Sequence, residues 1–278
     1  MTDRYAVIGN PVLHSRGPQI HAAFALQTGQ PLSYERILAP LDGFTRAARA
    51  FRDAGGRGLN VTIPFKVEAS SYATRLTDRA RDAGAVNTLR FDADEALGDN
   101  TDGAGLVTDI TIRLGVELAG RQVLLAGAGG AARGVAGPLL DADPAELFIV
   151  NRTAETAREL ARRHRSRGRV SGGAFDDVAH RTFDVVINAT AASLAGDSLP
   201  LAASVFARCS LAYDLVYADR PTPFMRFASE SGATQVSDGL GMLVAQAAES
   251  FLLWRGVRPD PLPVMAELRA ERALADSR

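Results

Sequence analysis

Lysine is all but missing from this chain: of its 31 Lys and Arg residues, Lys66 alone is lysine. Asparagine is nearly as scarce, present only as Asn10, Asn60, Asn87, Asn100, Asn151 and Asn188. A coding bias towards Arg, Ala and Gly accounts for the scarcity but would scatter the survivors at random. Instead each Asn lies in a short segment (GNP, NVT, VNT, DNT, NRT or NAT) at or near the end of a strand-like run, where α/β enzymes keep their ligand contacts. Cysteine is reduced to Cys209, which excludes an internal disulfide and, in its apolar surroundings, reads as a small buried side chain. No run approaches the ~18 continuous apolar residues of a membrane span. The strand-like stretch Tyr5 to Gly9 has no charged and then apolar leader before it, so the expectation is a cytoplasmic protein with no membrane partner. Net charge is lacking too: a formal value of −1, with the signs interspersed, gives no electrostatic reason to expect nucleic acid. A small molecule is the expected partner.

What is present is an apolar fraction of 46% in 278 residues, enough for a substantial core in one large domain or two smaller ones. Strand-like runs alternate with amphipathic helical stretches, the pattern of α/β layers with largely parallel sheets. In a first unit, strands are expected near 5–9, 33–39 and 58–63 and helices near 18–28, 43–54, 66–75 and 77–84. A strand pair follows between Asn87 and Thr101, with turn chemistry at Asp92 to Glu95, and then a helix near 103–114. In a second unit, strands are expected near 122–126, 146–151, 168–171, 184–189 and 210–216, with helices near 131–141, 154–165 and 223–231. A helix from Leu240 to Trp254 and a charged one after Pro263 complete the chain.

The run Val123-Leu124-Leu125-Ala126 enters Gly127-Ala128-Gly129-Gly130-Ala131-Ala132, a strand leading into GxGxxA and a helix. Gly127 suits a tight turn, Gly129 lets backbone N–H groups approach a pyrophosphate, and Ala132 permits close helix packing. The next strand ends in Asn151-Arg152-Thr153, with no Asp or Glu to bind a ribose 2′-hydroxyl as an NAD site requires. Arg152 offers a permanently charged planar fork for a 2′-phosphate, with Asn151 and Thr153 adding hydrogen-bond capacity, so the expected cofactor is NADP. His14 and His21 have no metal-ligand company and read as structural, and His164, in an Arg-rich stretch, reads as solvated. No metal is expected.

Three segments of the first unit need one explanation: Gly9-Asn10-Pro11 with His14-Ser15; Asn60-Val61-Thr62-Ile63-Pro64-Phe65-Lys66; and Gly84-Ala85-Val86-Asn87-Thr88 with Asp99-Asn100-Thr101-Asp102-Gly103. Together with the glycine loop they resemble the shikimate dehydrogenase family. The resemblance runs nearly end to end, through Asn188-Ala189-Thr190, Tyr213-Asp214-Leu215-Val216-Tyr217, Pro221-Thr222-Pro223-Phe224 and Asp238-Gly239-Leu240-Gly241-Met242. It implies an α/β fold of two α/β domains, an N-terminal substrate-binding domain (1–102 with 240–278) and a Rossmann-type NADP-binding domain (103–239), with a cleft between them. It further implies a monomer or homodimer that reversibly reduces 3-dehydroshikimate to shikimate in chorismate and aromatic amino-acid biosynthesis.

Residue by residue, the resemblance makes Lys66 the acid/base, Asp102 its partner and a ligand of a ring hydroxyl, and Asn87, Thr62 and Gln246 further hydroxyl ligands. Ser15 would bind the carboxylate and Tyr217 would close the substrate side. Gly127, Ala128, Gly129, Gly130, Ala131, Asn151, Arg152, Thr153, Leu215, Gly239 and Asp78 fall on the cofactor side. The chemistry supports Lys66 without the name: reducing a ketone builds alkoxide character, and a lysine can give and recover a proton where arginine effectively cannot. Where the family usually has a second hydroxyl residue, two after Ser15, this chain has Gly17. That departure leaves open a quinate/shikimate enzyme or a paralogue with altered substrate. A non-catalytic NADP-binding sensor is the alternative of another class, and the retention of both Lys66 and Asp102 stands against it.

Overall fold

The computed structural model describes residues 2–93 and 95–276. Met1, Asp94, Ser277 and Arg278 lie outside the described residues, and with them part of the expected Asp92 to Glu95 turn and the extremes of the expected domain ranges. The chain divides into two compact units, Met1–Gly105 with Val244–Glu271, and Leu106–Leu243 with Arg272–Arg278.

The first unit contains β1 (Asp3–Gly9), β2 (Leu32–Leu38), β3 (Gly56–Val61), β4 (Arg75–Leu76), β5 (Thr88–Asp92) and β6 (Glu95–Asp99) in one sheet of order β2-β1-β3-β5-β6-β4. β1 pairs parallel with β2 and β3, whereas β3–β5 and β5–β6 are antiparallel, so a parallel half carries a hairpin on one flank. The helices Gly17–Thr28 and Phe44–Asp53 are the crossovers between the parallel strands. Phe44, Ala48 and Phe51, at helical spacing, turn one face of the second of these onto a core that includes Ile8, Leu59 and Leu89. The two-residue β4 carries too little periodicity to be seen in the sequence.

The second unit contains β7 (Gln122–Ala126), β8 (Glu146–Val150), β9 (Val170–Gly173), β10 (Val185–Asn188), β11 (Leu211–Asp214) and β12 (Gln235–Ser237), all parallel, in the order β12-β11-β10-β7-β8-β9. The connections leave β7 in one direction and β10 in the other. This makes the carboxyl ends of β7 and β10 the topological switch point of a doubly wound sheet, the place where such folds bind ligands. β7, β8, β10 and β11 are buried along most of their length, hence their unbroken apolar runs.

The helix expected near 103–114 is present, α-helical for Asp102–Thr108 and continuing as a π turn over Asp109–Arg113. Within that turn Arg113 clasps both oxygens of Asp109, which also accepts a 2.6 Å hydrogen bond from the Tyr213 hydroxyl. His164 is not solvated but 2% exposed. It extends the inward stripe of Ala157, Leu160 and Ala161 on the helix Ala154–His164, a position that the surrounding arginines obscure in the sequence. Cys209 is buried, and burial pushes its thiol up to about 12, leaving it unreactive.

Candidate active site

Lys66 is the first residue of the helix Lys66–Tyr72, reached from β3 through the turn Thr62 to Phe65. Phe65 is buried against Phe44, with ring centroids 5.4 Å apart, and the Lys66 carbonyl accepts from Val86 N–H at 2.8 Å. Both contacts set the start of the helix beside the segment leading into β5. Asp102 begins the helix Asp102–Thr108 just after β6, and its backbone N–H is held by Asn100 Oδ1 at 3.2 Å. The two meet: Lys66 Nζ donates to Asp102 Oδ2 at 2.5 Å, with side chains only 18% and 5% exposed. Removing either partner of so buried a pair leaves an uncompensated charge.

Asn87 completes the cluster. Its Oδ1 accepts from the Thr101 backbone N–H and from Thr88 Oγ1, both at 2.9 Å. A backbone donor has no alternative polarity, so the Asn87 amide is oriented and its Nδ2 must face Asp102 Oδ1, at 2.8 Å. Gln246, on the helix Leu240–Arg255, joins through Oε1, 3.2 Å from both Asn87 Nδ2 and Thr101 Oγ1. Lys66, Asn87, Asp102 and Gln246, far apart in sequence, thus form one polar cluster. Thr62 lies nearby in the chain with its methyl against Gly9, where a Cβ would sit 2.3 Å from it; glycine is required there by the close approach of two strand ends.

Behind this cluster is a polar layer that the sequence did not announce. Asn60 donates to Thr88 Oγ1 at 3.1 Å and Ser250 Oγ at 3.0 Å, and accepts from the Tyr34 hydroxyl at 2.7 Å and His21 Nε2 at 3.2 Å. Burial lowers the His21 imidazole to about 3, the Asn60 hydrogen bond opposing it, so His21 is neutral and its Nε2 is the donor. Ser250 lies one helical turn after Gln246 and donates to its carbonyl at 3.1 Å, a spacing with no signature of its own.

Ser15 lies near the end of the loop between β1 and the helix that opens at Gly17. Its Oγ accepts from Gly17 N–H at 3.2 Å, which leaves its own proton free to donate. Gly17 opens the helix Gly17–Thr28, and a Cβ there would come within 3.0 Å of the Tyr34 ring and 3.1 Å of its hydroxyl. Tyr34 has little room to yield, being stacked on His21 with centroids 4.3 Å apart and bonded to Asn60. Gly17→Ser is therefore expected to cost about 1 kcal/mol and to lower Tm by about 2–4 °C. Thermal unfolding checks this; an undiminished Tm would show that the ring gives way without penalty.

In the second unit, Gly127 follows β7 with φ of 113°, and its N–H donates to Val150 O at 2.7 Å. A Cβ on Gly127 would meet the Ala189 carbonyl at 3.1 Å, beyond the end of β10. Around Gly129, by contrast, a Cβ would meet nothing within 4 Å, so the backbone that caps the helix Gly130–Asp141 is open to an approaching group. Ala128 is buried and Ala131 lies in the first turn of that helix. After β8, Asn151 Nδ2 donates to Thr153 O at 3.1 Å, while the exposed Arg152 makes no ion pair among the described residues. Gly239 permits a contact no other residue could make, since its Cβ would lie 2.1 Å from Leu215 O. Tyr217 is half-buried two residues after Leu215. At the end of β11, Asp214 accepts from Asn188, Ser193, Thr222 and the Val216 N–H; burial raises its pKa while these donors oppose the rise, and the carboxylate ties three loops together. Asp78 belongs to the first unit, its side chain 95% exposed and paired with Arg81. Among the described residues no group of His, Cys, Asp and Glu could hold a metal ion, and no helix is long and apolar enough to cross a membrane.

The sequence matches the shikimate dehydrogenase substrate binding domain over residues 7–89, the shikimate / quinate 5-dehydrogenase domain over 110–195 and the shikimate 5'-dehydrogenase C-terminal domain over 239–269. A shikimate dehydrogenase (NADP(+)) of Nitrosospira multiformis is 57% identical over 97% of this chain and 98% of its own length. One from Herminiimonas arsenicoxydans is 59% identical over 98% of each. Among solved structures, an Ael1 enzyme from Pseudomonas putida superposes with a TM-score of 0.90 at 46% identity, covering 96% of this chain and 98% of that one. A shikimate 5-dehydrogenase from Thermus thermophilus, solved with NADP(H) and shikimate, superposes with a TM-score of 0.85 at 34% identity over 97% and 99%.

Proposed function

Because this chain belongs to the shikimate dehydrogenase family, we propose that it catalyses the reversible NADP-dependent interconversion of 3-dehydroshikimate and shikimate, with Lys66 as the acid/base. The observation that carries the reading is the 2.5 Å pair of Lys66 with Asp102, tied through Asn87 to Gln246 in one buried polar cluster. Bound NADPH would supply the hydride for ketone reduction, and NADP+ would accept it in the reverse direction. The protein's share is proton management and orientation. Lys66 donates from Nζ to the oxygen that gains alkoxide character, and in the oxidative direction it recovers that proton. Asp102 holds the ammonium with Oδ2, and Asn87, donating to its Oδ1, keeps the carboxylate oriented. Asn87, Thr62 and Gln246 are polar groups suited to the ring hydroxyls, and Ser15 has a proton to offer the carboxylate.

The cofactor half is supported by the fit of the second unit to a dinucleotide. An open backbone at Gly129 caps a twelve-residue helix at the switch point, and the strand after it ends in an uncommitted arginine instead of an acid. Asn151, Arg152 and Thr153 would take the 2′-phosphate; the backbone from Gly127 to Ala131 would take the pyrophosphate; Leu215 and Gly239 would flank the nicotinamide. Of the domain assignment, the first unit would bind substrate and the second cofactor. The proposed reaction belongs to aromatic biosynthesis, and the cytoplasm is its proposed compartment.

A substrate panel tests the proposal: shikimate, quinate and a carboxylate-free analogue, each with NADP and NAD, followed at the nicotinamide absorbance band. Shikimate with NADP is expected to have the highest kcat/KM. A preference for quinate would move the protein to the sister specificity, and no turnover with any pair would mark it as a binding protein.

A further inference from the structure

We propose that Arg36 is a specificity-determining residue, supplying the positive charge that recognises the substrate carboxylate beside Ser15; this rests on the function proposed above. Arg36 lies on β2 two residues after Tyr34, so both side chains project from the same face of the strand. Both reach the loop that ends at Gly17. Tyr34 packs at Gly17, while Arg36 donates to the Ser15 carbonyl from Nη2 at 2.6 Å and Nε at 3.0 Å.

Those two bonds seat the guanidinium on the backbone of the residue whose hydroxyl proton is uncommitted. They do not neutralise it, since a carbonyl carries no net charge. The carboxylate beside it in the chain is engaged elsewhere, and so is the one that faces Arg16. Glu35, its chain neighbour, pairs with Arg4 at 2.8 Å, and Glu271 takes Arg16 and both bonds from Gln19. Arg16, adjacent to Ser15 in sequence, is therefore already paired, whereas Arg36 has no carboxylate within ion-pairing distance among the described residues. An uncompensated arginine fixed on this loop is the feature an anionic substituent would find. It also accounts for the tolerance of glycine at position 17: a guanidinium fork offers a carboxylate more than the single hydroxyl that is missing.

The test compares Arg36→Met and Arg36→Lys in the full-length enzyme, on shikimate and on a cyclohexene triol of the same ring without the carboxylate. KM is read for each, or the inhibition constant where the analogue turns over too slowly. Arg36→Met is expected to raise the shikimate KM by at least tenfold more than the analogue's constant, with the loss in KM and not in kcat. Arg36→Lys should recover part of it, since an ammonium restores the charge but not the fork, and added salt should raise the shikimate KM of the wild type more than that of Arg36→Met. Equal losses on both compounds, or no loss on shikimate, would overturn the inference and leave Arg36 as a brace for the loop. If the wild type itself fails to oxidise shikimate with NADP, the function proposed above falls and this inference with it.

Discussion

Lys66→Arg is expected to lower kcat by ~10²–10⁴, the range typical of losing a general acid/base. Arginine retains the positive charge, so Asp102 keeps a partner and the penalty of an orphaned buried carboxylate does not arise. What is lost is an amine that can give up and recover a proton, because a guanidinium stays protonated. The change in KM should accordingly be small beside the change in kcat. Lys66→Ala should add a loss of binding, since it strips Asp102 of its only ion-pair partner among the described residues. Composition offers an independent check. With Lys66 the sole lysine, an amine-selective reagent has one side-chain target, and its stoichiometric incorporation should abolish activity unless shikimate is present to protect it. A Lys66→Arg enzyme with near-normal kcat, or a fully modified enzyme that still turns over, would remove Lys66 from the chemistry.

Arg152→Ala is expected to raise KM for NADP by about 10- to 100-fold, equivalent to losing a charge-assisted interaction of about 1.5–3 kcal/mol. KM for NAD should change far less, because NAD lacks the phosphate. Arg152 is suited to this separation: it is exposed, pairs with no acid among the described residues, and follows β8 without contributing to a core. Its removal should leave stability within the small range of ordinary surface substitutions. Parallel increases for both cofactors would show that Arg152 serves the loop after β8 and not the discrimination.

Much of the site was legible before any coordinates, and particular residues show why. The scarcity of lysine made Lys66 conspicuous, and the six asparagines mark strand ends: Asn10 follows β1, Asn87 precedes β5, Asn100 follows β6, Asn151 follows β8 and Asn188 ends β10. Asn60, the penultimate residue of β3, is the one that reaches back into the buried layer with His21, Tyr34, Thr88 and Ser250. Ser250 and Arg36 had no local signal. A serine one turn after Gln246 is commonplace in any helix, and an arginine is commonplace in a chain with so many.

The alternation of strand and helix, the glycine loop after β7, the missing acid after β8 and the uniqueness of Lys66 are legible in residue order alone. These are local properties: periodicity follows from backbone geometry, and the absence of a Cβ permits the φ of 113° at Gly127. Long-range packing set the 2.5 Å between Lys66 and Asp102, the orientation of Asn87 by the Thr101 backbone, the burial of His164 despite its arginine neighbours in sequence, and the charge that Arg36, not the neighbouring Arg16, keeps uncompensated at Ser15. The reason is physical: a hydrogen bond's polarity and an ion pair's partner depend on which groups long-range packing brings within about 3 Å, and no window along the chain contains that information.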